Sequence, residues 1–253
     1  MYHAERLELE RGGKAIRKAV QNGRSRFSAA GRGKQSMNEA LKTIDLTPLD
    51  LAALLCSRVC HDAVGPVGAI VNGLELLDED DSAETREMAL DLIRKSARQA
   101  SARLQFARIA FGAAGSAGST VDTGYAQQLT EQFVADEKVK LSWNTPRLYV
   151  EKNRVKLLMN LVVIALSSIP IGGTIEVRME GDAENPVFHV DARGPKPRIP
   201  PHLIDLLQGK SESGAVDAHG FQLFYTGEIA RASGMKVDVS LEDGLVRLVA
   251  SPK

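Results

Sequence analysis

The sequence predicts an α + α/β chain: a helical hairpin that pairs with a second copy as a four-helix bundle, then an α/β sandwich built on a mixed sheet. Three observations carry that prediction. Two long amphipathic patterns, each opened by an N-capping signal, are separated only by the acidic turn Asp78-Glu79-Asp80-Asp81. The second pattern holds a heptad stripe of apolar residues that a lone hairpin cannot bury. Beyond the small-residue run from Gly112 to Ser119, the periodicity changes to alternating strands and helices.

The first 36 residues carry nine Lys and Arg against Glu5, Glu8 and Glu10, with Gly12-Gly13 and Gly31-Arg32-Gly33-Lys34 interrupting any helical pattern. They read as a basic flexible tail extending to about residue 44, with Met37 an alternative start. A basic arm for nucleic acid is the rival reading. Over all 253 residues, 32 acids balance 32 bases, so no bulk field points to nucleic acid. No apolar run approaches a membrane span and the start lacks the apolar core of a secretory signal, so a cytoplasmic protein without membrane contact is expected.

The first helix is predicted over residues 48–77. Thr47 is its N-cap, Pro48 suits the first helical position, and Asp50 completes a capping box. At ~100° per residue, Asp50, Leu54, Ser57, Gly65, Gly68, Asn72 and Glu75 lie within about 40° of His61. All but Leu54 are small or polar. Opposite lie Leu55, Cys56, Val59, Ala63, Pro66, Val67, Ile70, Leu74 and Leu77. His61 is therefore expected mid-helix, facing water, on a face cleared of bulk; an ordinary surface histidine is the plain alternative. Pro66 removes the helical donor to the Asp62 carbonyl and predicts a bend there. Cys56 and Cys60, one turn apart on the buried side, read as small core residues, and no metal site is expected.

Asp81 with Glu84 caps the second helix, which carries Leu90, Ile93, Ala97, Ala100, Leu104, Ala107 and Phe111 at alternating steps of three and four. Its other faces hold Arg86, Arg94, Lys95, Arg98, Gln99 and Arg103. Either the following domain or a second copy covers the stripe, and a homodimer is the preferred reading. Past the linker, a helix is predicted at 124–135 and strands at 138–143 and 149–150. A strongly apolar helix at 152–168 follows, then strands at 174–179 and 186–192. Helices at 201–208 and 221–233 and strands at 236–241 and 245–251 complete a sheet with helices on one face.

A hairpin bearing His-Asp-x-x-x-Pro, a small-residue linker and this α/β order resembles the body of a histidine kinase over about residues 45–252: a dimerisation and histidine-phosphotransfer hairpin, then a Bergerat-like ATPase domain. His61-Asp62 with Pro66 resembles the family's H-box. Leu157-Leu158-Met159-Asn160-Leu161, followed by Ile171-Gly172-Gly173-Thr174-Ile175, resembles the surroundings of its N-box. Asp191 stands where the first nucleotide-box aspartate would be, and residues 220–232 resemble the last helix. The departures bear on nucleotide binding. Ile164 replaces a second asparagine that holds magnesium and offers no oxygen to a hard cation. Arg193 replaces a glycine, and Gly220-Phe221-Gln222-Leu223 replaces a glycine-rich phosphate cradle. The site of Asn160, Ile164, Asp191, Arg193 and Gly220 is thus expected to be degenerate and empty of ATP.

A kept hairpin beside an eroded ATP site resembles the histidine phosphotransferases of the alphaproteobacterial cell-cycle phosphorelay. The resemblance implies that His61 takes a phosphoryl group from the receiver of a CckA-like hybrid kinase and passes it to receivers on CtrA-like and CpdR-like response regulators. No cofactor of its own is implied; the receiver supplies Mg2+. His61 would be the nucleophile. Asp62 would orient the ring or accept its proton, or be plain surface charge. Arg58 would steady phosphate or merely pair with Asp62, and Pro66 shapes the site. Leu54, Ser57, Val64, Gly65, Gly68 and Asn72 form the expected receiver-binding strip. The domains are expected at 1–44 (tail), 45–112 (hairpin), 113–119 (linker) and 120–253 (degenerate ATPase-like domain). The competing readings are an ATP-dependent sensor-type histidine kinase and a non-catalytic dimeric receiver-binding scaffold.

Overall fold

A computed structural model describes residues 41–79, 82–112, 119–135 and 138–253. Residues 1–40 of the expected tail, residues 80–81 of the turn and residues 113–118 of the linker lie outside them, whereas residues 41–44, also read as tail, carry a short strand and the buried Ile44. The described residues belong to the second of the chain's two units, Ala40–Lys253.

After a short strand β1 (Lys42–Thr43) comes helix α1 (Pro48–Glu79), which continues unbroken through Pro66. Thr47 Oγ1 accepts from the Asp50 amide at 3.2 Å and donates to the Asp50 carboxylate at 2.6 Å, which satisfies an orphan amide of the first turn. Helix α2 (Ala83–Ala110) is capped by Ser82, whose hydroxyl accepts from the Thr85 amide. The cap is therefore Ser82 rather than Asp81, because the helix starts one residue later and brings the Thr85 amide within a hydroxyl's reach. The two helices pack along each other as a hairpin. Gly73 permits their closest approach: a Cβ there would stand 2.6 Å from Ile93 Cγ1 and 3.2 Å from the Ala89 carbonyl.

The α/β part contains β2 (Thr120–Asp122), α3 (Thr123–Val134), β3 (Val139–Asn144), β4 (Tyr149–Glu151), α4 (Lys152–Ser168), β5 (Gly173–Glu180), β6 (Val187–Arg193), α5 (Leu203–Leu207), β7 (Lys210–Ser211), α6 (Phe221–Ala232), β8 (Met235–Glu242) and β9 (Leu245–Pro252). Five strands form one sheet in the order β3-β5-β6-β9-β8, parallel between β3 and β5 and antiparallel elsewhere. Its inner face, including Ile175, Val177, Phe188, Val190, Val246 and Leu248, is buried with the apolar residues of α4 and α6. The pleat turns alternate residues outward, so Glu176, Arg178, His189, Asp191 and Arg247 share the opposite face. Two minor pairings, β1 with β7 and β2 with β4, were not expected from the sequence.

The hairpin is fastened to this body where its two chain ends meet it, at the end away from the turn. Ahead of α1, the buried Ile44 donates its amide to the Gly209 carbonyl at 2.8 Å. At the close of α2, Phe106 stacks on Phe133 of α3 with centroids 4.1 Å apart, and Tyr225 donates its hydroxyl to the Phe111 carbonyl. The α/β body thus covers the Ala102, Phe106, Ile109 and Ala110 face of α2 and leaves Leu104 of the heptad stripe about half exposed. On α1 only Pro66 and Gly73 are fully buried, while Leu49, Val64, Val67, Val71 and Leu74 stand open to solvent. One sequence reading is corrected here: α1 is long and apolar enough, by length and composition, to cross a membrane. Its middle carries Arg58, His61 and Asp62, costly side chains at a bilayer centre, and one of its faces is packed on α2.

Candidate functional site

The side chain of His61 is 84% exposed near the middle of α1. Its Nδ1 faces the Asp62 carboxylate at 3.4 Å, and the second carboxylate oxygen of Asp62 accepts from Arg58 Nε at 3.0 Å. In the tautomer with hydrogen on Nδ1, that hydrogen faces Asp62 and Nε2 carries the ring's free lone pair. Pro66, one turn further on, is buried. The Asp62 carbonyl, deprived of a helical donor by that proline, accepts from Arg103 Nη1 of α2 at 3.1 Å.

Around the imidazole the helix surface is low. Ser57, Gly65, Gly68 and Asn72 are exposed, and a Cβ built on Gly65 or Gly68 meets nothing within 4 Å. Val64 is 68% exposed at the margin. Leu54 departs from the expected strip, because it is half-buried against the hydrophobic core that joins Phe106 and Ile109 of α2 to the α/β body. Cys56 and Cys60 are exposed, not buried as read from the helical wheel, because α2 covers only the Pro66–Gly73 face. Their sulfurs are 4.0 Å apart, and the contact with Cys56 pushes the Cys60 thiol pKa up.

The five positions read as a degenerate nucleotide site do not assemble into one. Asn160 is fully buried: its Nδ2 donates to the Ala110 and Lys156 carbonyls at 3.0 and 2.8 Å, and its Oδ1 accepts from Gln222 Nε2 at 2.6 Å. Ile164 is core. Asp191 and Arg193 are corrected outright. Strand alternation places them with Arg178 and Arg247 on the outer face of the sheet, away from Asn160. There Asp191 accepts from Arg178 at 3.0 Å and from Arg247 at 2.9 Å. Gly220 precedes α6 and gives its amide to Asp217 at 2.7 Å. A cavity of about 840 Å³ does lie at this end of the helical layer, lined by Arg58, Val163, Ser167, His202, His219 and Gly220 among others. Neither Asn160 nor Asp191 is among its lining residues.

Residues 123–244 match the family described as the histidine phosphotransferase C-terminal domain. Protein phosphotransferase ChpT of Brucella abortus (strain 2308) is 48% identical over 196 residues, which is 78% of this chain and 92% of that protein. The chain belongs to the ChpT family of histidine phosphotransferases. A solved bacterial phosphotransferase is 43% identical, with a TM-score of 0.76 over 83% of this chain and 100% of its own. The activity that comes with this family is phosphotransfer.

One member of the site was not singled out from the sequence. Arg103 read as part of the solvated face of α2, yet it reaches the Asp62 carbonyl. The signal was present in two parts: Pro66 marks Asp62 as needing a donor, and counting equally from residues 80–81 sets Asp62 opposite residue 99 of α2, one turn from Arg103.

Proposed function

We propose that this family member is a homodimeric, cytoplasmic histidine phosphotransferase that carries a phosphoryl group on His61 between receiver-domain aspartates, without binding ATP. The observation that carries the reading is the bare imidazole of His61, held against Asp62 on a helix face of small residues. Nε2 attacks the phosphorus of a receiver aspartyl phosphate in line with the leaving carboxylate oxygen. The P–N bond forms as the P–O bond breaks, the receiver recovers its carboxylate, and the Nδ1 proton is shared with Asp62. Transfer onward to a second receiver is the reverse. The receiver's Mg2+ would supply charge neutralisation for the phosphoryl oxygens; the hairpin contributes position. Arg58 holds Asp62, and Ser57, Gly65, Gly68 and Asn72 let a receiver helix approach, with Val64 an apolar contact at the edge.

The absence of ATP chemistry in this reading is supported by Asn160, whose hydrogen-bonding atoms are spent inside the protein, and by Asp191, which faces the other way. The dimer is supported by the open apolar stripe on α1, since burying each Val or Leu contributes about 1.5–3 kcal/mol. In this scheme the hairpin, residues 45–112, transfers phosphate, and residues 120–253 form an ATPase-like domain that has lost its nucleotide. The donors and acceptors are the receivers of a CckA-like hybrid kinase and of CtrA-like and CpdR-like regulators of the cell cycle.

A receiver charged with labelled phosphate, mixed with the full chain, is expected to place acid-labile label on His61, and H61A is expected to take none. Label persisting in H61A would refute the assignment. Self-labelling with ATP and Mg2+ alone would establish a kinase, and unimpaired signalling by H61A in cells would establish a scaffold.

A further inference from the structure

Three contacts converge on Asp62: its carboxylate faces His61 Nδ1, the same carboxylate holds Arg58, and its carbonyl accepts from Arg103 of the other helix. The third is the unusual one. In an α-helix the carbonyl of residue 62 belongs to the amide of residue 66, and Pro66 has none. A buried or half-buried carbonyl left without a donor is costly, and a guanidinium is a strong replacement because its hydrogen bond is charge-assisted. The replacement also changes what the bond does. A helical amide fixes a turn only relative to its own helix. A donor from α2 fixes the His61 turn relative to the neighbouring helix, and so relative to the whole surface on which a receiver would settle.

We infer that Arg103 is a positioning residue for phosphotransfer, standing in for the amide that Pro66 lacks and so holding the turn that aims His61 and Asp62. It touches no substrate in this role. Phosphoryl transfer in line is sensitive to aim, since displacements of about 1 Å in a reacting group cost on the order of a hundredfold in rate. The inference rests on His61 being the phosphoacceptor.

The pairing of Arg103 with Pro66 makes a direct test. Full-length wild type, H61A, R103K, R103M, P66A and the double variant P66A/R103M are compared for transfer from a phosphorylated receiver, with kcat and KM for the receiver measured separately. R103M is expected to lower kcat about tenfold with KM little changed, as for loss of a charge-assisted hydrogen bond. R103K is expected to recover part of the loss. In the P66A background the amide of residue 66 satisfies the Asp62 carbonyl, so adding R103M is expected to cost less than about twofold. A loss of equal size in both backgrounds, or a loss confined to KM, would overturn the inference and assign Arg103 to the receiver or the phosphate. An R103M protein as fast as wild type would overturn it as well. Melting temperatures of all variants separate a kinetic loss from unfolding, and a kcat that merely follows the folded fraction would also overturn it. Wild type that takes no label above H61A would overturn the phosphoacceptor reading itself, a different failure from the others.

Discussion

Asn160 Oδ1 accepts a hydrogen bond from Gln222 Nε2 at 2.6 Å, deep between α4 and α6. The same asparagine donates to the carbonyl of Ala110, the last residue of α2. Asn160 is thus a tie between the hairpin and the helical layer. Removing its partner should be felt as lost stability. Q222A strands the Asn160 oxygen in a fully buried setting, and the expected cost is about 1–3 kcal/mol by urea denaturation. Calorimetric titration of Q222A with ATP and Mg2+ is expected to show no binding, because Asp191 still faces the other side of the sheet. An unchanged unfolding free energy would contradict the tie.

The glycines of α1 separate into two kinds. At Gly68 a Cβ meets nothing within 4 Å, whereas at Gly73 it stands 2.6 Å from Ile93 Cγ1. G68A is expected to stabilise the protein by up to about 1 kcal/mol, through helix propensity, while slowing transfer from a receiver. G73A is expected to destabilise it by about 1–3 kcal/mol through overpacking against α2. Thermal unfolding of the two variants, moving in opposite directions from wild type, is the check.

Most of the fold was legible because its signals are local. The bounds of α4, Lys152–Ser168, follow from a long apolar run that starts on Glu151, whose carboxylate accepts from the Arg154 amide, and stops before Gly172-Gly173. The pairing of β1 with β7 left no trace, since two residues cannot show an alternation. Asp191 was misplaced although the pattern to place it was present: Phe188, Val190 and Ala192 point inward, so the residues between them point out. Leu54 failed for another reason. A helical wheel records which residues share a face, not which other part of the chain lies against it, and the hydrophobic core reaches that turn of α1. Arg103 needed two helices and a proline to be considered together.

The outer face of the sheet carries a pH signature. Burial pushes the Asp191 carboxyl up, but the hydrogen bond and charge of Arg247, and then those of Arg178, outweigh it and hold the group below the usual carboxylate range. In the unfolded chain the carboxyl titrates in the usual range, so there the unfolded state binds more protons. The stabilisation is complete above the usual carboxylate pKa and is lost as pH falls through the lower folded value. D191N is expected to be less stable than wild type at about pH 7, with the difference shrinking toward about pH 3. Denaturant midpoints across that range test it; two parallel curves would count against the pairing.

The open stripe on α1 yields the last expectation. Leu49, Val67, Val71 and Leu74 are exposed along one side, and Cys56 and Cys60 lie on the same side by helical rotation. Leu104 of α2 stays open at the groove formed with Leu55 and Val59. An apolar band of this length is rarely left to solvent, and a second hairpin set against it would complete the bundle. Wild type is therefore expected to sediment at twice the chain mass. V71E places a charge in the seam, where desolvating it without a partner costs several kcal/mol, and is expected to sediment as a monomer with its helix content retained. The cysteines report the same event: their reaction with a maleimide is expected to be slow in wild type and several-fold faster in V71E. Equal masses and equal thiol rates for the two proteins would show that the band is covered by something other than a second copy.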